Sequence, residues 1–296
     1  MLKLTEEQVA TYRKEGVLIA ENIFTDDDLQ PVIDQMSEFI DRRAKELKAE
    51  SQIEDLCEDE PFETRFASLY AQCTDISRGI DIMQMRGKRM FEFLRNDNFM
   101  DAVEDLIGGE ILCSPIQHIR AKFPRRLSPE TPDYYHNVPW HQDAGVTWEE
   151  ADPTEILTCW LPLVDATAEN GCMEVLPGAW RAGHLDHQKE GGTQILPDQM
   201  PAIAPCKAEC PKGGLIIMSK YTPHRSTNNN TEMVRWSIDL RYQPIGEPTG
   251  RPFQPAFVTR SRKNPETVCT SHEEWCTRWT EGLENSKGKQ AHRVVK

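Results

Sequence analysis

The sequence predicts a mainly β protein with flanking helices, in which a helical segment precedes a core of short strands. Over residues 1–110, apolar side chains recur at three- and four-residue steps, the spacing of amphipathic helices. From residue 111 onward, short apolar runs are separated by Gly, Pro and Asn, without helical segments between them. Many short strands in this arrangement favour an antiparallel sandwich or barrel. We expect a single domain of 296 residues, with helical support over 1–110, the β core over 111–245 and a C-terminal extension over 246–296.

The helical part begins with clear start and stop signals. Thr5-Glu6-Glu7-Gln8 is a capping box, in which side chains satisfy free amides at a helix start, and Gly16 can end the same helix. The other elements predicted here are a strand over 17–19, helices over 26–48, 76–94 and 99–107, and a loop over 50–63.

Five apolar runs predict the strands of the β core: 111–120, 156–164, 172–176, 215–219 and 233–242. In the last run, apolar residues alternate with Arg235, Ser237, Asp239 and Arg241, so one face is apolar and the other polar. Such a polar face is either solvated or lines a wet site inside a small barrel. The extension is polar, and its tryptophans around Trp275 predict one docked helix.

Composition excludes several classes of partner. The formal net charge of -14 argues against a broad nucleic-acid or anionic-membrane surface, because both need clustered Lys and Arg. The first residues show neither a signal-peptide pattern nor a membrane span, so we expect a cytoplasmic protein. The nine cysteines form no four-ligand zinc pattern and are expected to be reduced thiols.

The residues that point to chemistry are His141, Asp143, His224 and Arg235. In an extended segment, residues two apart point to the same side, so His141 and Asp143 can reach one ion while Gln142 points away. His224 follows a predicted strand and can join them at a barrel mouth. Two imidazoles and one carboxylate on one face of a metal leave the opposite face open, which suits a non-haem Fe(II) oxygenase.

Arg235 fits the same chemistry. Fe(II) with three protein ligands keeps positions for a bidentate 2-oxo acid and for O2. The distal carboxylate of such a co-substrate needs a cation, and the planar fork of arginine binds a carboxylate with two parallel hydrogen bonds. Alternatively, Arg235 is a structural ion-pair residue, with Asp239 or Glu232 as its partner.

Several motifs resemble the phytanoyl-CoA dioxygenase-like (PhyH) family of Fe(II)/2-oxoglutarate oxygenases. They span about residues 111–243 and are Trp140-His141-Gln142-Asp143, Trp160-Leu161-Pro162-Leu163, Glu169-Asn170-Gly171-Cys172 with Pro177-Gly178, and His224-Arg225-Ser226 leading to Arg235. The resemblance implies a double-stranded β-helix, a jelly-roll or cupin-like barrel. It also implies iron ligation by His141, Asp143 and His224, and anchoring of 2-oxoglutarate by Arg235 with help from Ser226. Trp160 is similar to the aromatic residue that lines the co-substrate site in the family.

The chain departs from the family pattern in one loop. Family members commonly continue Pro-Gly with Ser-His, whereas Pro177-Gly178 is followed here by Ala179-Trp180. Because that loop usually lies near the substrate, the identity of the substrate is not transferred. Asp143 favours oxygenation over halogenation, since halogenating relatives lack the carboxylate ligand.

Other residues are weaker candidates for the site. Gln117 and Lys122 can reach co-substrate or substrate, although a solvated position is equally compatible with the sequence. His136 is the best of the remaining histidines for contacting substrate. An aromatic-rich entrance is possible, with Trp140, Trp148, Tyr134 and Tyr135 as its members.

The sequence therefore predicts a dioxygenase that uses Fe(II), 2-oxoglutarate and O2 to hydroxylate a C–H bond of a small organic metabolite, with succinate and CO2 as co-products. Desaturation, epoxidation and cyclisation stay open. Two alternatives are a cupin-type metal enzyme that does not use 2-oxoglutarate and a non-catalytic small-molecule-binding protein on an oxygenase scaffold. The expected partner is a small-molecule substrate, with neither nucleic acid nor membrane, and a homodimer is one option for the oligomeric state.

Overall fold

The computed structural model describes residues 3–131, 137–189, 192–290 and 292–293. Tyr134, Tyr135 and His136 lie outside the described residues. The helices are α1 Glu6–Glu15, α2 Asp26–Ala49, α3 Phe62–Gln72, α4 Ile82–Met85, α5 Lys88–Phe93, α6 Asp97–Ile107 and α7 His272–Asn285. The strands are β1 Val17–Ala20, β2 Glu110–Cys113, β3 His118–Lys122, β4 Leu157–Pro162, β5 Met173–Val175, β6 His187–Lys189, β7 Thr193–Ile195, β8 Cys206–Ala208, β9 Leu215–Ser219, β10 His224–Ser226, β11 Arg235–Pro244 and β12 Phe257–Ser261.

The N-terminal signals act as the sequence predicts. The Thr5 hydroxyl accepts from the Gln8 backbone amide while the Gln8 side chain accepts from the Thr5 amide, and Gly16 adopts the left-handed conformation that ends α1. The predicted helix over 76–94 is wrong, because the chain is broken there into a 3-10 turn, α4 and α5. Left-handed backbone at Gly79 and Arg86 separates these pieces. Helix α3 was missed, because its first residues fall in the acidic stretch that was expected to be a loop.

Two antiparallel sheets form the β core. The larger has the order β1-β9-β4-β11-β2-β12, with β3 pairing the first half of β11. The smaller has the order β10-β5-β8. Side chains from both sheets line a cavity between them, and the candidate functional residues are among these side chains. The mainly antiparallel sheets with flanking helices are those of a jelly-roll fold, which confirms the predicted fold class.

Strand β11 separates the core from the cavity. On one face, Trp236 stacks on Phe62 of α3, with ring centroids 5.2 Å apart, and contacts Phe66 at 4.9 Å. The helices therefore cover the outer face of the larger sheet and bury its apolar side chains. On the other face, Arg235, Ser237 and Arg241 are also buried, so the polar face lines an internal site rather than bulk solvent.

The C-terminal extension belongs to the same framework. Strand β12, which the sequence did not reveal, pairs with β2, and the predicted docked helix is α7, with Trp275 and Trp279 fully buried. Within the described part of the chain, no helix is long and apolar enough to cross a membrane. The cytoplasmic location, the single-domain division and the oligomeric state stay predictions.

Candidate active site: two histidines, a carboxylate and a buried arginine

His141 and His224 meet because their backbones pair. The amide of each residue donates to the carbonyl of the other at 3.0 Å, an isolated antiparallel bridge that extends the smaller sheet beyond β10. The two imidazole rings then lie 4.1 Å apart, centroid to centroid. Backbone pairing thus brings together two histidines that are far apart in the sequence.

Both imidazoles use Nδ1 for a backbone hydrogen bond and keep Nε2 for a metal. Nδ1 of His141 donates to the Pro139 carbonyl at 2.9 Å, and Nδ1 of His224 donates to the Thr222 carbonyl at 3.0 Å. Because a carbonyl only accepts, the proton sits on Nδ1 and the Nε2 lone pairs are free. Burial, with the neighbouring His224, lowers the pKa of His141 to about 3. His141 is therefore neutral at physiological pH, the form that binds metals.

Asp143 completes the set and is held at both oxygens. Its Oδ1 accepts from Nη2 of Arg241 at 2.7 Å, and its Oδ2 accepts from the Thr158 hydroxyl. Burial alone would raise the pKa of Asp143, but the positive charge of Arg241 lowers it well below its usual range. Oδ1 lies 3.9 Å from Nε2 of His141.

The three side chains form a candidate metal centre. One ligand atom from each of His141, Asp143 and His224 lies within 4.8 Å of the others. The structure therefore gathers three donor atoms of the types that bind a shared metal ion. The centre borders a cavity of about 830 Å³, whose walls come from β3, β4, β9 and β11 of the larger sheet and from β5 and β10 of the smaller.

Arg235 lies in the same cavity, where no carboxylate of the described residues forms an ion pair with it. Its Nη1 donates to Ser237 at 2.7 Å, and its guanidinium carbon lies 5.0 Å from the ring centroid of Trp160. The alternative ion-pair role is wrong for the described residues, because Asp239 pairs with Arg241 and Glu232 pairs with Arg126. Burial lowers the pKa of Arg235 to about 10, so it stays protonated at neutral pH, and its Nε has no partner in the described structure.

Lys122 and Ser226 lie beside Arg235. Lys122 stands opposite Arg235 in the strand register, and its Nζ donates to Asn137 at 2.8 Å and to Ser226 at 3.2 Å. Burial, with the Arg235 charge, lowers the pKa of Lys122 to about 7. This end of the cavity therefore holds two buried basic groups, and both would be stabilised by an anion.

Gln117 is placed elsewhere. Its side-chain nitrogen donates to the Ser114 carbonyl at 2.9 Å, and the residue is not part of the cavity lining, so we do not retain it as a co-substrate contact. Neither Trp140 nor Trp148 lines this cavity. The expected aromatic entrance therefore finds no support in these two residues.

Gln142, between the two ligands, points away from them as predicted. Its side-chain nitrogen donates to the carbonyls of Gly183 and Tyr221, and its oxygen accepts from the Leu185 amide. The backbone amide of Gln142 also donates to Nε2 of His187 at 3.0 Å. The loop after Pro177-Gly178 is therefore tied to the metal-ligand segment, with His187 as an acceptor.

The family relationship is shown by sequence. A family model described as Phytanoyl-CoA dioxygenase (PhyH) matches residues 12–237. A phytanoyl-CoA dioxygenase domain-containing protein 1 homolog from Dictyostelium discoideum is 23% identical over 278 residues, which cover 81% of this chain and 92% of that protein.

Solved structures share the fold. The non-heme monooxygenase ThoJ in its apo form matches with a TM-score of 0.64 at 16% identity, covering 94% of this chain and 96% of that one. The epimerase SnoN, solved with Fe3+, alpha ketoglutarate and nogalamycin RO, matches with a TM-score of 0.54 at 18% identity, covering 84% and 88%. Because the family model spans most of the sequence, the chain belongs to the phytanoyl-CoA dioxygenase (PhyH) family of Fe(II)/2-oxoglutarate-dependent oxygenases.

Proposed function

We propose that the protein hydroxylates a C–H bond of a small organic molecule, using Fe(II), 2-oxoglutarate and O2 and releasing succinate and CO2. One observation carries this proposal: the imidazole and carboxylate donors His141, Asp143 and His224 border the same cavity as the buried Arg235, which pairs with no carboxylate among the described residues. Bound iron with 2-oxoglutarate would supply the oxygen chemistry that the side chains cannot perform.

The donor set fits Fe(II). Two imidazoles and one carboxylate form the facial arrangement that leaves three positions open. Arg241 and Thr158 fix the orientation of Asp143, and the carbonyls of Pro139 and Thr222 fix the tautomers of the histidines. These partners orient the ligand atoms before the metal binds.

The Arg235 end of the cavity fits the distal carboxylate of 2-oxoglutarate. Arg235 stays protonated and presents a guanidinium that no acidic side chain of the described structure neutralises. Lys122 and Ser226 add polar hydrogens beside it. A dicarboxylate that reaches from the metal to Arg235 would satisfy this cation, and Trp160 would cover the guanidinium from the other side.

Succinate formation by the iron-loaded protein tests the proposal, with a panel of small organic compounds as stimulants. Arg235→Ala should raise the KM for 2-oxoglutarate about 100-fold, because losing one partner of a buried charged pair costs about 3 kcal/mol. Arg126→Ala is the matched control, since Arg126 is half-exposed and pairs with Glu232 at the surface. It should leave the KM unchanged.

The outcomes separate the alternatives. An enzyme whose activity is indifferent to Arg235→Ala and to 2-oxoglutarate would be a jelly-roll metal enzyme of another class. A protein that binds iron and small molecules but never forms succinate would be a binding protein on an oxygenase scaffold. Either result contradicts the proposal.

A further inference from the structure

A second buried arginine, Arg251, lines the cavity. It lies in the C-terminal extension, beyond the strands that carry the metal ligands and Arg235, and only 9% of its surface is exposed. Neither the metal centre nor the co-substrate end uses it. Its position therefore needs a separate explanation.

The fold places Arg251 through a close backbone approach at Gly250. Gly250 has φ +67°, and a Cβ there would lie 2.6 Å from Cβ of Thr147 and 2.8 Å from the Trp148 amide nitrogen. That amide donates to the Gly250 carbonyl at 3.1 Å. Only glycine fits this contact without strain. The extension is thus fastened to the segment that starts at Asp143, and Arg251 is held near the metal centre.

The side chain of Arg251 is only partly satisfied. Its Nε donates to the Val146 carbonyl at 2.9 Å, and its Nη1 makes a long contact of 3.5 Å with Gln254. Within the residues that the structure describes, no carboxylate forms an ion pair with it. Burial, with the nearby Arg241 charge, lowers the pKa of Arg251 to about 10, so it is still a cation at neutral pH.

The neighbouring acids are already neutralised. Arg241 pairs with Asp143 at 2.7 Å and with Asp239 at 2.9 Å. These two are the acidic side chains of the described cavity lining, which also contains six Lys or Arg side chains. The whole chain has a net charge of -14, whereas the described lining of this cavity carries more basic than acidic side chains. A buried cation without a counter-charge is costly, so the site favours an anionic ligand.

This cation is distinct from the co-substrate end. Arg235 and Arg241 are six residues apart on β11, which separates their backbones by about 20 Å. Arg251 interacts with the Arg241 end, and Arg241 in turn holds Asp143. Two regions of positive charge therefore line the cavity of the metal centre, with Arg235 in one and Arg251 in the other.

We propose that Arg251 binds a carboxylate of the organic substrate and so positions the substrate against the metal centre. This inference rests on the proposed oxygenase function and names its substrate class: a small monocarboxylate, held by the terminal nitrogens of the Arg251 guanidinium. A cavity of about 830 Å³ accommodates both this molecule and 2-oxoglutarate. The distance from the carboxylate to the metal selects the carbon that is oxidised.

Binding of matched acids and amides tests the proposal. Phenylacetate, octanoate, their primary amides and phenyl phosphate are titrated calorimetrically into the anaerobic protein, loaded with Fe(II) and one equivalent of 2-oxoglutarate. We expect at least one acid to bind at least tenfold more tightly than its amide. Arg251→Gln should abolish that preference and leave 2-oxoglutarate affinity unchanged. Arg262→Gln, which changes the net charge equally at an exposed site, should retain the preference.

Three results would overturn the inference: amides that bind as tightly as their acids, an acid preference that survives in Arg251→Gln, or tighter binding of phenyl phosphate than of either acid. The comparison of acid with amide uses the unaltered protein, so it stands even if Arg251→Gln fails to fold. Failure of the oxygenase proposal has a different signature, namely loss of iron-dependent 2-oxoglutarate binding in the unaltered protein.

Discussion

Arg241 donates from Nη2 to Oδ1 of Asp143 at 2.7 Å, so a cation of β11 holds the carboxylate of the candidate metal centre. Both side chains are buried, and the same guanidinium forms an ion pair with Asp239. Strand β11 also carries Arg235 on the same face. One strand thus fixes the metal-binding carboxylate and presents the proposed anchor for the co-substrate.

Replacement of Arg241 should destabilise the metal-free protein strongly. Arg241→Leu leaves the buried carboxylate of Asp143 and the partly buried carboxylate of Asp239 without their cation, which costs about 3–5 kcal/mol in the free energy of unfolding. Arg262→Leu is the control, because its exposed ion pair with Glu104 contributes about 0–1 kcal/mol. Urea denaturation measures both. Arg241→Lys should fold but bind iron about 10–100-fold more weakly, since the orientation of the ligand is lost. Equal stability of the two leucine variants would contradict this role.

Stability of the metal-free protein should fall as the pH decreases from about 6.5 to about 4. Burial, with the neighbouring His184, lowers the pKa of His187 to about 4, and protonation of Nε2 removes the acceptor for the Gln142 amide. Between these pH values the unfolded chain binds the proton and the folded chain does not, so the free energy of unfolding decreases as the pH falls. His187→Gln should flatten the profile measured by urea denaturation. Superimposable profiles would exclude His187 as a contributor.

Gly250→Ala should loosen the contact between the extension and the metal-ligand segment. The left-handed backbone alone costs about 1–2 kcal/mol for a residue with a Cβ, and the approach to Thr147 and Trp148 adds a steric clash. Gly246→Ala is the matched control, because Gly246 has φ +88° and nothing within 4 Å of the added Cβ. Thermal unfolding should therefore show a larger loss for Gly250→Ala. Equal losses would show that the close approach does not matter.

The sequence predicted the parts of this protein that are encoded locally. The capping box at Thr5 and the alternation along β11 are patterns of a few residues, and both are found in the structure. The three residues of the candidate metal centre were also expected together, because their types and order match the family pattern. The structure brings them within 4.8 Å.

The residues that were missed depend on contacts between distant segments. Arg241 lies on the predicted polar face of β11, but its pairing with Asp143 spans 98 positions and leaves no local signal. Arg251 lies in a polar stretch without periodicity, where a buried cation cannot be told from a solvated one. Gln117 was expected in the site because it lies on or near the predicted strand before the loop to His141, yet its side chain turns to the Ser114 carbonyl. Side-chain direction at a strand end is set by packing that a single sequence does not contain.

Anaerobic calorimetry with Fe(II) followed by 2-oxoglutarate tests the central claim most directly. We expect one equivalent of iron to bind, then one equivalent of 2-oxoglutarate that requires the iron. His224→Ala should abolish the first event, and Arg235→Ala should weaken only the second. Binding of 2-oxoglutarate without iron, or with the same affinity in Arg235→Ala, would contradict the assignment of this cavity as an oxygenase active site.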